Sequence, residues 1–215
     1  TLLSFFSGAL ENQSAAVVVY SDEARQNLEG SVVTDEQVAA TAQVPGVARA
    51  EPLGESTFTL RTSEDTLAAA LFGYVLGGPG APPRLVEGRL PRSDGEGVAS
   101  DIDADRGFDI GDTVRVRGPD GDLPIRVVGL ASESRFSVDP VLFVSYDTYG
   151  EAVRTKNPDA VAVTPSIVAV APEDGVEGSR LAERINREVE GVDALSREDA
   201  VDSLPGVAGV QSSFN

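Results

Sequence analysis

Asp101, Asp103 and Asp105 stand at alternate positions, and Asp112 follows eleven residues after the first. Oxygen donors at positions 1, 3, 5 and 12 are the ligand pattern of a helix–loop–helix calcium site, which also needs a glycine at position 6 for its sharp turn. Here Arg106 holds that position and Gly107 comes one residue late. A guanidinium inside the loop opposes a cation, and no pair of amphipathic helices flanks the segment. A second reading fits the flanks better: a short helix from Ser100 as N-cap to about Phe108, with acids in its first turn where the helix dipole favours them.

Glu87, Asp94 and Glu96 are the carboxylates whose clustering could support general acid–base work, but nothing in the sequence fixes their separation. Asp120-Gly121-Asp122 reads as a hairpin tip. Gly88 and Gly95-Glu96-Gly97 lack the Lys and Ser/Thr of a phosphate-cradling loop, so no nucleotide is expected to bind here. Arg84, Arg89 and Arg92 cluster in an acidic background. They either meet a carboxylate or phosphate on a partner or neutralise nearby Asp and Glu. Phe136, Tyr146 and Tyr149 flank a strand around Phe143, and read either as a contact face for a partner protein or as core. Arg84, Arg89, Arg92, Phe136 and Tyr146 are therefore the candidate partner contacts. No catalytic, metal or cofactor residue is assigned.

The absences narrow the chemistry further. His, Cys, Met and Trp do not occur in the 215 residues. Ser-His-Asp and Cys-His nucleophile systems are excluded, as are the usual zinc sites. Carboxylate pairs of the glycosidase kind remain open, so a hydrolase acting on cell-wall or sugar substrates stays as an alternative. A surface-anchored binding module without a transport role is the other. The formal net charge is −18, from 35 acidic and 17 basic residues, which repels nucleic acid and anionic headgroups. One lysine, Lys156, stands among arginines, a bias expected of a GC-rich genome or a salt-adapted organism. No run of about 18 apolar residues occurs, so nothing here spans a bilayer as a helix.

These residues need elements to position them. Ala15–Tyr20 and Ser166–Ala171 are short apolar, β-branched runs that read as buried strands. Thr34-Asp35-Glu36-Gln37 is a capping box opening a helix that Pro45-Gly46 stops. Val47–Pro52 starts a strand, and Ser56–Arg61 alternates with period two. Asp65–Leu76 is ambiguous: Thr66–Leu71 favours helix by propensity, and a strand is expected from about Phe72. Gly77–Pro83 is a candidate crossing between subdomains. Residues 84–150 read mostly as strands, at Gly97–Ala99, Asp112–Arg117, Leu123–Ala131 and Val141–Ser145, with 112–130 a hairpin. Asp147–Arg154 is a helix candidate. Ser179–Glu190 is the clearest helix, with Leu181, Ile185 and Val189 on one face and Glu183 facing Arg187 on the other. Ser196 reads as the N-cap of a last helix. Strand, helix and Gly-Val exit occur at 15–60 and again at 166–200, a faint internal repeat.

The segment from Leu85 to Leu130 carries a resemblance. Glu87-Gly88-Arg89, Pro91, Val98-Ala99-Ser100-Asp101, Ile110-Gly111-Asp112-Thr113-Val114 and Val127-Val128-Gly129 occur in the order found in the extracytoplasmic domain of MacB/FtsX-type ABC transporter permeases, which this chain resembles. The resemblance implies an α+β fold: a porter-like α/β subdomain from both chain ends (13–83 and 156–205), interrupted by a β-rich lobe (84–155). It implies that residues 1–12 and 206–215 are membrane-proximal. On pattern alone, Leu2, Leu3, Phe5, Phe6 and Leu10 fit equally a helix packed on its own domain or the top of a membrane helix; the resemblance favours the second. It further implies a plasma-membrane protein with this domain on the extracytoplasmic side. ATP would be hydrolysed by a separate ATPase subunit, a second permease copy would face this one, and a substrate or protein partner would lie outside. The implied role is to pass ATP-driven movement of membrane helices outward.

Overall fold

The computed structural model describes residues 15–26, 28, 30–82, 84–132, 135–136 and 139–202. In chain order the elements begin with β1 (Val17–Ser21), α1 (Asp35–Gln43), β2 (Val47–Arg61), β3 (Thr66–Tyr74), β4 (Leu85–Gly88) and β5 (Glu96–Ser100). They continue with β6 (Thr113–Val116), β7 (Leu123–Ala131), β8 (Arg135–Phe136), β9 (Asp139–Ser145) and α2 (Tyr146–Lys156). The last are β10 (Ile167–Pro172), α3 (Gly178–Glu188), β11 (Val192–Ser196) and α4 (Arg197–Asp202). The fold is α+β, as expected. The chain divides into two compact units, one from the two ends of the chain up to Leu53 and from Thr164 onward, with Gly78–Gly80, and the other from Gly54–Gly77 and Ala81–Val163.

In the first unit the strands lie in the order β11-β1-β10-β2, every neighbouring pair antiparallel. This is two β-α-β segments, each split by a strand of the other, and it accounts for the internal repeat. The matching helix exits both turn on glycines with left-handed backbone, Gly46 at φ 97° and Gly191 at φ 74°. β1 and β10 are buried along both faces, which is why their sequences are continuous apolar runs. Val17, Val19, Val168 and Val170 pack against Leu181, Ile185 and Val189 of the α3 segment. The expected capping box forms: Gln37 N donates to Thr34 Oγ1 (3.1 Å) and Thr34 N to Gln37 Oε1 (3.0 Å). The Gln37 amide also donates to the Gly191 carbonyl (3.1 Å), tying α1 to the turn before β11. Among the described residues Glu183 and Arg187 form no ion pair, whereas Arg180 pairs with Glu177 at 3.0 Å.

In the second unit β3 runs parallel to β9, β9 antiparallel to β5, β5 parallel to β7, and β7 antiparallel to β4 and β6. The hairpin expected at 112–130 is β6–β7. The sequence expectation differs from the structure at three places here. β2 is one strand of 15 residues rather than two short ones. β3 begins at Thr66, because parallel pairing with β9 and burial of Ala69, Ala70, Leu71 and Phe72 override the helical propensity of the Ala run. For the same reason residues 54–77, grouped above with the chain ends, belong with the central unit.

Tyr149 of α2 is central to this unit. Its ring lies in a slot that only glycine leaves open: a Cβ on Gly54 would come 2.2 Å from Tyr149 Cε1, and one on Gly73 2.2 Å from Tyr149 Cβ. The Tyr149 hydroxyl donates to the Glu55 carbonyl (3.1 Å), and Phe58 meets the ring edge-on with centroids 6.1 Å apart.

Candidate functional site

The aspartates at 101–105 form a 3-10 turn, Asp101–Arg106, rather than an α-helix. Ser100 is buried and its hydroxyl caps nothing, so the expected N-cap interaction is missing and the helix stays short. Asp103 is fully buried, with Arg106 on its carboxylate at 3.3 Å. The Asp112 carboxylate accepts from Asp109 N at 2.9 Å. Gly107, at φ 83°, lies so close to Thr62 that a Cβ would come 2.7 Å from it, and the Thr62 hydroxyl donates to the Arg106 carbonyl (2.9 Å). The turn is thus docked on the β2–β3 hairpin. Among the described residues no group of three or more His, Cys, Asp or Glu is placed to hold a metal.

The segment joining β4 to β5 is clamped at two carboxylates. Arg89 forks onto Glu96, Nη1 to Oε2 at 2.7 Å and Nη2 to Oε1 at 2.5 Å, and Arg92 N donates to Glu96 Oε2 at 2.9 Å. These bonds, the Arg89 fork first, hold the Glu96 carboxyl down at about 2. Asp94 accepts from the Ser145 hydroxyl at 2.6 Å. Ser145 is the N-cap of α2, accepting from Thr148 N at 3.0 Å, while the Thr148 hydroxyl accepts from Gly95 N at 3.0 Å. Asp94 therefore sits at a helix N-terminus, where a negative charge is favoured. Glu87 lies exposed on β4, the edge strand.

Of the candidate contacts, Arg89 is engaged by Glu96, whereas the Arg84 and Arg92 side chains are exposed. Phe136 lies in β8, paired with Asp139. Tyr146 is half-buried and stacks on Tyr149, centroids 6.1 Å apart. Leu2, Leu3, Phe5, Phe6 and Leu10 lie outside the described residues, as does the segment 206–215. Among the described residues no helix is long and apolar enough to cross a membrane.

Two features add detail that the sequence did not show. The first is where the described ends of the chain meet. β1 and β11 are neighbours, Val17 opposite Ser196, and Arg197 N donates to the Ala16 carbonyl (2.9 Å). Beside them is a groove of about 300 Å³, lined by Ala16, Gly178, Ser179, Ser196 and Arg197 among others. The second is a group of arginines on β2, β6 and β7. Alternation of Val114 and Val116 with Arg115, and of Ile125 with Arg126, was the signal that could have shown them.

The profile of one protein family, described as MacB-like periplasmic core domain, matches residues 1–188. Over 100 residues, 46% of this chain, the sequence is 37% identical to an uncharacterized ABC transporter permease of Mycobacterium tuberculosis strain H37Rv. That stretch spans only 26% of the relative's length. Among solved structures, the periplasmic region of MacB from Actinobacillus actinomycetemcomitans superposes with a TM-score of 0.59 at 15% identity, covering 95% of this chain and 99% of that one. The extracellular domain of the noncanonic ABC-type transporter YknZ from Gram-positive bacteria gives 0.54 at 19% identity, covering 85% and 100%. At such identities these two likenesses speak for the fold alone.

Proposed function

Because the chain belongs to the MacB-like periplasmic core domain family, we propose that it is the extracytoplasmic domain of an ABC transporter permease and passes ATP-driven motion of membrane helices to a substrate or partner outside the cell. The family is a transporter domain rather than an enzyme class. The segments 1–12 and 206–215 are the membrane-proximal stalks of this reading. A separate ATPase subunit supplies the energy, and a second permease copy faces the first. Efflux, lipoprotein handling and activation of an extracellular partner are the outputs such motion can have. Arg84 and Arg92 are proposed partner contacts.

The observation that carries the reading is the pairing of β1 with β11. The chain enters the first unit on one strand and leaves it from the adjacent one, with Val17 opposite Ser196. Two stalks rooted on neighbouring strands can enter one membrane side by side. A displacement applied to both then reaches a packed sheet, which moves as a body rather than deforming.

The test uses the parent permease with its ATPase in lipid nanodiscs, spin-labelled at Asp120→Cys on the exposed β6–β7 turn. Pulsed electron resonance between the two copies should show a shift of about 5 Å or more between the ATP-bound and nucleotide-free states. A distance distribution that does not respond to ATP overturns the reading.

A further inference from the structure

In a chain of net charge −18, arginines converge on one exposed sheet face. Arg61 on β2 lies directly opposite Arg115 on β6. Arg115 lies opposite Pro124, and Thr113 opposite Arg126 of β7. Arg126 in turn is level with Glu96 of β5, the residue held by Arg89. Val114, Val116 and Ile125, which alternate with these positions, are fully buried, so the arginines share the outward face. Two like charges directly opposite each other across antiparallel strands are destabilising. An acidic chain with few cations has every opportunity to avoid such a pair.

The carboxylates already on this face show what it accepts. Asp122 bridges Arg61 (2.8 Å) and Arg117 (3.2 Å), and Glu96 takes the Arg89 fork. The nearby Asp112 carboxylate is turned onto Asp109 N. Between these two occupied positions, Arg115 and Arg126 are exposed and, among the described residues, have no carboxylate partner. Guanidinium groups match planar carboxylates two bonds at a time. Alternate residues of an extended peptide repeat at roughly 6.8 Å, the same spacing as alternate residues of β6 and β7.

We propose that the outer face of β6 and β7 is a docking site for an extended acidic segment of a protein partner, whose carboxylates engage Arg115 and Arg126. The occupant follows from charge complementarity and from the carboxylates the face already holds. The inference deepens the permease reading by giving the partner a chemistry, and rests on it only for the side of the membrane on which the partner lies.

The test measures binding of a fluorescein-labelled peptide of alternating Glu and Thr to the 215-residue chain by fluorescence anisotropy at about 50 mM salt, where exposed charges are weakly screened. The comparisons are the double variant Arg115→Gln/Arg126→Gln, its two single variants, and Arg187→Gln on the exposed side of α3. Circular dichroism establishes that each is folded. The double variant should bind at least about tenfold more weakly and lose part of the salt dependence, with Arg187→Gln within about twofold of the parent. Amide shifts on peptide addition should map to Thr113, Arg115 and Arg126. Absence of peptide binding, equal binding by the double variant, or stronger competition by inorganic phosphate or phosphatidylglycerol vesicles at equal ionic strength overturns the proposal. ATP-driven movement of the domain in the nanodisc experiment is untouched by any of these outcomes, so the two readings fail separately.

Discussion

Gly54→Ala should be among the most damaging small substitutions in the molecule. The added methyl would stand 2.2 Å from Tyr149 Cε1, 2.6 Å from Cδ1 and 2.7 Å from Cζ, where ordinary contact begins at 3.4 Å. The ring must retreat by roughly 1 Å in an interior packed like a crystal. It has nowhere to go, since Gly73 backs it so closely that a Cβ there would stand 2.2 Å from Tyr149 Cβ, Phe58 stands edge-on, and the hydroxyl is bonded to Glu55 O. Overpacking of this kind costs about 3 kcal/mol. Tyr149→Ala alone removes the ring and leaves a cavity, at about 4 kcal/mol. In that background the methyl finds space, and Ala is a better strand residue than Gly, so Gly54→Ala should become neutral or stabilising by about 0.5 kcal/mol. The coupling energy is then about 3 kcal/mol. Urea unfolding followed by circular dichroism gives the stabilities, since the chain has no Trp. Hydrogen exchange at the β3 and β9 amides isolates the unit that contains both residues. If Gly54→Ala costs the same with and without the Tyr149 ring, the slot argument is wrong.

Glu96→Gln should flatten the acid limb of the stability curve. The Glu96 carboxyl is held at about 2, down from its ordinary 4.5, so its contribution is fully present above pH 4.5 and is lost as pH falls toward 2; an unchanged slope between those values in the variant would refute this. Asn186→Ala removes both side-chain bonds to Ala194, the amide donating to its carbonyl at 2.9 Å and the side-chain oxygen accepting from its N at 2.7 Å. Leaving those part-buried backbone groups unmet should cost about 2 kcal/mol by urea midpoint. Thr34→Ala breaks the capping box and should cost about 1 kcal/mol, with Thr34→Ser recovering most of it in the same assay.

The parts of the fold written in local pattern were readable. The capping box at Thr34 and the Val runs of β1 and β10 depend on neighbours within a turn or a strand, and all were placed. So was the repeat, because both helices end at a Gly-Val step. What the sequence did not show is set by partners far away along the chain. β3 is a strand because β9 lies beside it, although Ala-rich residues favour helix. Tyr149 fills a slot made by glycines 95 and 76 residues earlier in the chain. The site residues divide the same way. The Arg84–Arg92 cluster was visible as composition, but that Arg89 belongs to Glu96 while Arg84 and Arg92 stay exposed follows from the β4–β5 connection. Arg115 and Arg126 were legible as alternation with buried neighbours, but their convergence on one face is set by the pairing of β6 with β2 and β7, far apart along the chain.

The split β-α-β arrangement gives the two chain ends different mechanical standing. β1 is a central strand, bonded on both sides by β10 and β11 and buried on both faces. Among the described residues β11 is an edge strand, with β1 on one side only. In the proposed reading, a pull on the carboxyl-terminal side alone would load β11 against its pairing with β1. A pull on both ends in the same direction loads β1 and β11 together and does not shear the pairing between them. Asn186 counters the weaker case, because its side-chain amide and oxygen bind the Ala194 backbone and anchor the edge strand to α3. If the domain receives movement through two stalks, as proposed, side-by-side strands with a reinforced edge suit concerted displacement, and stalks driven in opposition would work against the strand least able to hold.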